Sequence, residues 1–239
     1  QTAERFHREE RLTILKESYS GGVDYGNVQK TMFDQGEGWM GVQIVQGQEV
    51  SYTISGITDV VSTAGKPRLE ILLTGRGSMV HYVDIYAGAR LLSSVSFQGY
   101  ASQRHSQDLE WSDIDAGGNI LIRIRVTGFA GVDRVSANYL RVSFPQKIKM
   151  AGTEKTFQLN ENASGPSLIS VENPSTGLRL FDITEPSSLS RIDAQLNTTL
   201  DAMVPASSAG RRILATSQVL APAGMKRVAF RRIVPGAQD

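Results

Sequence analysis

Leu178-Arg179-Leu180-Phe181-Asp182-Ile183-Thr184-Glu185-Pro186 reads as a short apolar strand stopped by a turn. Leu178, Leu180 and Phe181 fit a pleated, half-buried surface. Pro186 has no N–H to give to a ladder and restricts Glu185, so pairing ends there. Asp182 and Thr184 carry short oxygen-bearing side chains that bond nearby backbone N–H groups and fix a bend. The stretch is a strand-to-turn corner, with Asp182 or Thr184 expected to tie the backbone close to Pro186.

The rest of the chain follows the same period of two. Val50, Tyr52 and Ile54 alternate with polar neighbours, as do Leu69, Ile71 and Leu73. Val83 and Ile85 lead to an Ala87-Gly88 turn, and Leu91 to Phe97 forms the next strand. The cleanest alternation sets Ile120, Ile122, Ile124 and Val126 against Leu121, Arg123, Arg125 and Thr127. One face of that strand is dry and the other solvated. Arg134 to Phe144 closes the set, and about eight strands at turn spacings near ten suggest a jelly-roll-like sandwich. Six shorter strands follow, at 155–159, 167–171, 178–183, 190–195, 211–217 and 227–233, with Pro205 to Gly210 as a loop. They suffice for a smaller Ig-like sandwich. Pro145 to Gly152 marks the boundary, so the expected domains are 1–148 and 149–239. Helix is expected mainly within residues 1–20, where Phe6, Leu12 and Leu15 are spaced by charges; that stretch equally fits an arm laid across a sheet.

Composition narrows the function classes. A chain of 239 residues with 25 basic and 24 acidic side chains carries a net charge of +1. No global field pulls it toward nucleic acid or membrane. Cys is absent, which removes disulfides, thiolate metal sites and a thiol nucleophile from this chain. No apolar run approaches the 18 or so residues of a membrane-spanning helix, and no signal peptide is seen.

Phe181 to Pro186 is followed by the strand Arg191 to Leu196, a weak connection, and the Arg-rich strand Arg211-Arg212-Ile213-Leu214-Ala215. Upstream stands Asn138-Tyr139-Leu140-Arg141-Val142-Ser143-Phe144-Pro145, and the sequence ends Val234-Pro235-Gly236-Ala237-Gln238-Asp239. This order of pieces resembles the β-rich region ahead of the peptidase domain in the gingipain-type cysteine peptidases. Within them it is most similar to the PorU-like sortases of type IX secretion. The resemblance covers residues 130 to 239 and, more loosely, the first half. It implies a parent that removes a sorting domain from cargo emerging through the outer membrane and transfers the cargo to an anionic lipopolysaccharide. The catalytic Cys and His would lie beyond Asp239. Asp182, Thr184 and Pro186 match as structural positions, and no catalytic residue carries over. The same resemblance implies export to the cell envelope, at the outer-membrane surface or in the periplasm. Its implied partners are the downstream peptidase domain, an outer-membrane β-barrel and secreted cargo, with no nucleic acid among them.

Candidate chemistry is sparse. His7, His81 and His105 are scattered without ligand spacing. Ala206-Ser207-Ser208-Ala209-Gly210 lacks the first glycine of a serine elbow. Gly75-Arg76-Gly77-Ser78 lacks the lysine of a phosphate loop. Asp113, Asp115 and Asn119 around Gly117-Gly118 could supply part of a Ca²⁺ shell but lack the third acid and distant Glu of an EF-hand, and a glycine-rich hairpin is the favoured reading. Tyr82, Asp84 and Tyr86 share one strand face, with Trp39, Tyr100 and Trp111 elsewhere in the same domain; aromatics beside a carboxylate make a sugar platform, or simply cover a core. From Ala202 to Gln238 no acidic residue occurs, while Arg211, Arg212, Lys226, Arg227, Arg231 and Arg232 add six positive charges. Arginine forks suit carboxylate contacts, and charges on edge strands also keep those edges unpaired. No catalytic, cofactor-binding or metal residue is assigned. The expected role is a non-catalytic docking or scaffold module, with a carbohydrate-binding or cell-adhesion module as the alternative and a glycan-active β-enzyme as a third possibility.

Overall fold

A computed structural model describes residues 2–19, 38–128 and 133–218. The chain opens with β1 (Thr2–Ala3), β2 (His7–Ile14) and β3 (Ser18–Tyr19). It continues through β4 (Trp39–Met40), β5 (Ile44–Val45), β6 (Glu49–Ile54) and β7 (Arg68–Gly75). Next come β8 (Val80–Ala87), β9 (Arg90–Gln98), β10 (Ser102–Asp108), β11 (Ile120–Val126) and the long β12 (Arg134–Gln146). The remaining strands are β13 (Glu154–Leu159), β14 (Ser167–Val171), β15 (Arg179–Asp182), β16 (Ser190–Ile192), β17 (Ala194–Leu196), β18 (Leu200–Val204) and β19 (Arg211–Thr216). Two short 3-10 turns, Ser62–Ala64 and Trp111–Asp113, are the helical elements among the described residues.

The first sandwich is jelly-roll-like, with antiparallel sheets ordered β10-β7-β12-β2 and β6-β11-β8-β9. Alternation does the sorting. Along β11, Ile120, Ile122, Ile124 and Val126 are fully buried while Leu121 and Arg125 face water. Those isoleucines meet Val83 and Ile85 of β8 and, from the facing sheet, Leu69, Ile71, Leu73, Leu140, Val142 and Phe144. Each such side chain contributes roughly 1.5–3 kcal/mol on leaving water.

The second, smaller Ig-like sandwich has sheets β1-β14-β18-β17 and β13-β19-β15-β16 around Phe157, Leu159, Ile169, Val171, Leu180, Val204 and Ile213. Its first core residue is Ile148; the last of the first core is Phe144. Strand β1 belongs to this second sandwich, pairing in parallel with β14, although the chain then enters the first sandwich as β2.

Three expectations need correction. Of the stretch expected to be helical, the described residues 2–19 are not: β2 runs antiparallel along β12 from His7↔Gln146 to Ile14↔Tyr139. Arg11 lies over the Phe144 ring at 5.9 Å, and all of β2 after Arg8 is half-buried, so no clean period of two appears. The single strand expected at 190–195 is two strands in different sheets, hinged at Asp193. The connection ahead of Pro205 is partly strand β18, which pairs with both β14 and β17. The strand expected at 227–233 lies outside the described residues.

Candidate functional site

Strand β8 turns His81, Val83, Ile85 and Ala87 inward, which leaves Tyr82, Asp84 and Tyr86 together on the outer face. Neighbouring strands complete that face. Asp84 lies opposite Ser94 of β9 and Arg125 of β11, and Tyr86 lies opposite Arg123. Ser94 Oγ donates to Asp84 Oδ1 at 2.5 Å, and the Tyr86 hydroxyl donates to Oδ2 at 3.3 Å. The Arg123 guanidinium stacks 4.9 Å from the Tyr86 ring centre. It donates to both oxygens of Glu49 at 2.7 Å and to the Gly88 carbonyl at 2.8 Å. Those bonds hold the Glu49 carboxyl below its usual range. Val80, Tyr82, Leu91 and Leu121 are the apolar contributions, each about two-fifths exposed or more. The face is therefore flat, mixed in polarity, and already ordered, so a partner would lose little side-chain entropy on it. Trp39, Tyr100 and Trp111 do not join it. Trp111 sits in a 3-10 turn, donates to the Gly65 carbonyl at 3.1 Å and packs on the first core.

The two acids of the glycine-rich loop point to separate tasks. Asp113 forms a bidentate pair with Arg90 and accepts the Glu110 N–H at 2.7 Å. Burial would raise its carboxyl, but these bonds outweigh that and hold it below the ordinary range. Asp115 accepts the Asn119 N–H at 2.9 Å and its side-chain amide at 3.1 Å, closing its own turn. Both carboxylates are occupied by protein donors. Among the described residues, no three His, Asp or Glu side chains converge as a metal site would require.

The three histidines occupy unrelated places. His81 is buried, with Nδ1 2.5 Å from Asp133 Oδ1 and Nε2 2.8 Å from the Gly99 carbonyl. His7 lies where the sandwiches meet, 3.2 Å from Gln146 Oε1 and edge-on to the Phe157 ring. Burial, then Lys155, pushes its pKa down to about 4. His105 bonds Ser93 Oγ at 2.8 Å, and burial lowers its pKa as well. Gly75 of the Gly-Arg-Gly-Ser stretch is explained by this packing: a Cβ there would stand 2.0 Å from the Gly99 carbonyl and 2.4 Å from His81 Nε2. Ser207 lies in a loop bridged to Asn162, its hydroxyl accepting the Ala209 N–H at 3.1 Å.

The corner at Asp182 forms as expected, with Oδ1 accepting the Thr184 N–H at 2.9 Å. Thr184 Oγ1 accepts the Arg212 N–H at 3.0 Å, fastening the turn to β19. The arginine-rich segment divides. Arg211 is 1% exposed, not a surface charge; it donates to Asn160, Ser167 and the Glu4 carboxylate. Arg212 faces solvent. Lys226, Arg227, Arg231 and Arg232 lie outside the described residues. Sequence reasoning missed Glu4 and Asp133. Their partners lie 207 and 52 positions away, and no local pattern marks them.

No family model matches the sequence, and no curated relative does. Among solved structures, the chain is similar to dimeric latent PorU from Porphyromonas gingivalis, at a TM-score of 0.66 and 10% identity. That match covers 91% of this chain and 21% of the other, so the chain spans about a fifth of that protein's length. A CBM36-1 domain of a multidomain xylanase from the hindgut metagenome of Trinervitermes trinervoides matches at a TM-score of 0.36 and 18% identity, covering 56% of this chain and 96% of that domain. A carbohydrate-binding module CBM36 in complex with calcium and xylotriose matches at 0.33 and 14%, covering 56% and 98%. No described helix is long and apolar enough to cross a membrane.

Proposed function

We propose that this chain is a non-catalytic, amino-terminal region of a PorU-like cell-surface cysteine peptidase, exported to the cell envelope, that docks the peptidase domain of the same polypeptide. The observation that carries the reading is the likeness to PorU across both sandwiches, 91% of the chain, rather than across one generic module. Domains 1–148 and 149–239 are the units of this proposal, except that β1 and Ile148 pack with the second. The junction supports a scaffold: β1 pairs with β14, His7 packs on Phe157, and Lys155 of β13 reaches Glu9 of β2 at 3.4 Å. An outer-membrane β-barrel and emerging cargo are the further partners of this proposal. With Arg211 internal, the positive charges proposed for docking are Arg212 and, from the sequence alone, Lys226, Arg227, Arg231 and Arg232. The test is association of residues 1–239 with the separately produced downstream domain. Binding weakened by salt and by changing Arg231 and Arg232 to Ser supports docking, because exposed charges are screened within about 10 Å at 0.1 M. Salt-independent binding, or none, contradicts it.

A second reading rests on the ordered face around Tyr82 and Asp84. Exposed tyrosine beside an oriented carboxylate suits the apolar faces and hydroxyls of a sugar. Glycan affinity that disappears in Tyr82→Ala would favour a carbohydrate-binding module over the peptidase-docking role.

A further inference from the structure

We infer that the open edge of β14 and the buried Arg211 form a receptor for an extended, carboxylate-bearing peptide segment, and that Thr2–Glu4 is its ligand, bound in cis and separable from it. This inference holds whichever partner the outer surfaces serve.

The receptor half is built entirely by the second sandwich. Arg211 Nε and Nη2 donate to the Asn160 carbonyl at 3.0 and 2.7 Å, and Nη1 donates to Ser167 Oγ at 2.9 Å. Ser167 is fully buried and is also bonded by Asn162 Nδ2 at 2.9 Å, so the guanidinium is held in one orientation. These acceptors satisfy its hydrogen bonds but leave its charge. Among the described residues the acidic partner is Glu4, at 2.5 Å from Nη2. A buried cation without a carboxylate is costly, so the site selects for a negative group in that place.

The ligand half is small. Thr2 and Ala3 lie parallel to Ser167 and Leu168, and the Glu4 N–H donates to the Leu168 carbonyl at 2.9 Å. None of residues 3–6 enters the second core, and Ala3 and Arg5 face solvent. Backbone pairing plus one ion pair hold the segment, which is strand addition at a sheet edge with a charged anchor. Only Glu4, Arg5 and Phe6 separate β1 from β2, so the bound segment also ties the second sandwich to the first.

The decisive experiment compares the intact chain with a chain beginning at His7, using a synthetic peptide of residues 2–6 and its Glu→Gln form. The shortened chain should bind the Glu peptide saturably and the Gln peptide at least tenfold more weakly. The intact chain, its slot filled, should bind neither. Equal affinity for the two peptides, or equal binding to both chains, overturns the inference. Absence of binding by a shortened chain whose β7 and β11 amides stay protected from exchange overturns it too. Should the shortened chain not fold, Glu4→Gln in the intact chain decides: amide exchange should accelerate more than tenfold at Glu4 and along β19 while β7 and β11 stay protected. Unchanged exchange at those positions rejects the receptor.

Discussion

His81 Nδ1 and Asp133 Oδ1 stand 2.5 Å apart, 52 positions apart in the chain, and neither side chain reaches solvent. The other imidazole nitrogen meets the Gly99 carbonyl, and Asp133 Oδ2 accepts the Tyr82 N–H at 3.2 Å. The pair has an oxygen facing each ring nitrogen. It joins β8 to the segment entering β12 and positions the strand on which Tyr82 and Asp84 sit.

Removing one member strands the other. Asp133→Ala should therefore cost about 3–5 kcal/mol, the range for breaking a buried pair by deleting one partner. Urea unfolding of wild type and variant measures it. A loss under about 1 kcal/mol would show that water or a neighbour replaces the carboxylate.

Two glycines make room for this pair. A Cβ at Gly128 would lie 2.1 Å from Asp133 Oδ2, and one at Gly75 would meet the Gly99 carbonyl and His81. Overpacking of this kind costs about 1–3 kcal/mol or more. Gly210 is the control, since its Cβ would find only the Leu159 carbonyl, at 3.5 Å. Gly75→Ala and Gly128→Ala should lower the melting temperature clearly, while Gly210→Ala stays within about 0.5 kcal/mol of wild type. Equal effects at all three would refute the packing argument.

His7 makes stability depend on pH. Its folded pKa of about 4 lies below the ordinary histidine value of about 6.5, so between those values the unfolded chain binds a proton that the folded chain refuses. The contribution is complete above pH 6.5 and is lost as pH falls through 4, by about 3 kcal/mol at most. Lys155 opposes the charged ring and Glu9, 3.8 Å from Nε2, favours it. Unfolding measured at pH 7, 5.5 and 4 should show this slope, and His7→Gln should flatten it. A variant with the wild-type slope would assign the effect elsewhere.

At the Asp182 corner one side chain closes the turn and the next fastens it to β19. Asp182→Ala removes the first bond and should cost about 1 kcal/mol, as for a lost cap. An unchanged melting temperature would mean that Thr184 alone sets the bend.

What was legible in the sequence was what alternation writes. The β11 strand, buried as Ile120-x-Ile122-x-Ile124-x-Val126, and β14 at Ser167–Val171 were both readable from pattern. Strands without apolar alternation were not. Polar β10, Ser102 to Asp108, gives its side chains to an edge, and β2 hides its period because all of it after Arg8 is half-buried. Of the outer face, Tyr82, Asp84 and Tyr86 followed from spacing in one strand, whereas Arg123 and Glu49 joined them only through cross-strand register. Arg211 looked like a surface charge because the residue that neutralises it is Glu4, at the other end of the chain.

The most direct test of the proposed role is a titration of residues 1–239 against the peptidase domain proposed to follow them, at two salt concentrations, with peptidase activity assayed on each component. The account predicts a saturable complex that weakens with added salt and with Arg231 and Arg232 changed to Ser, and no activity in residues 1–239 alone. Peptidase activity in this chain by itself, or failure to associate at either salt concentration, would contradict it.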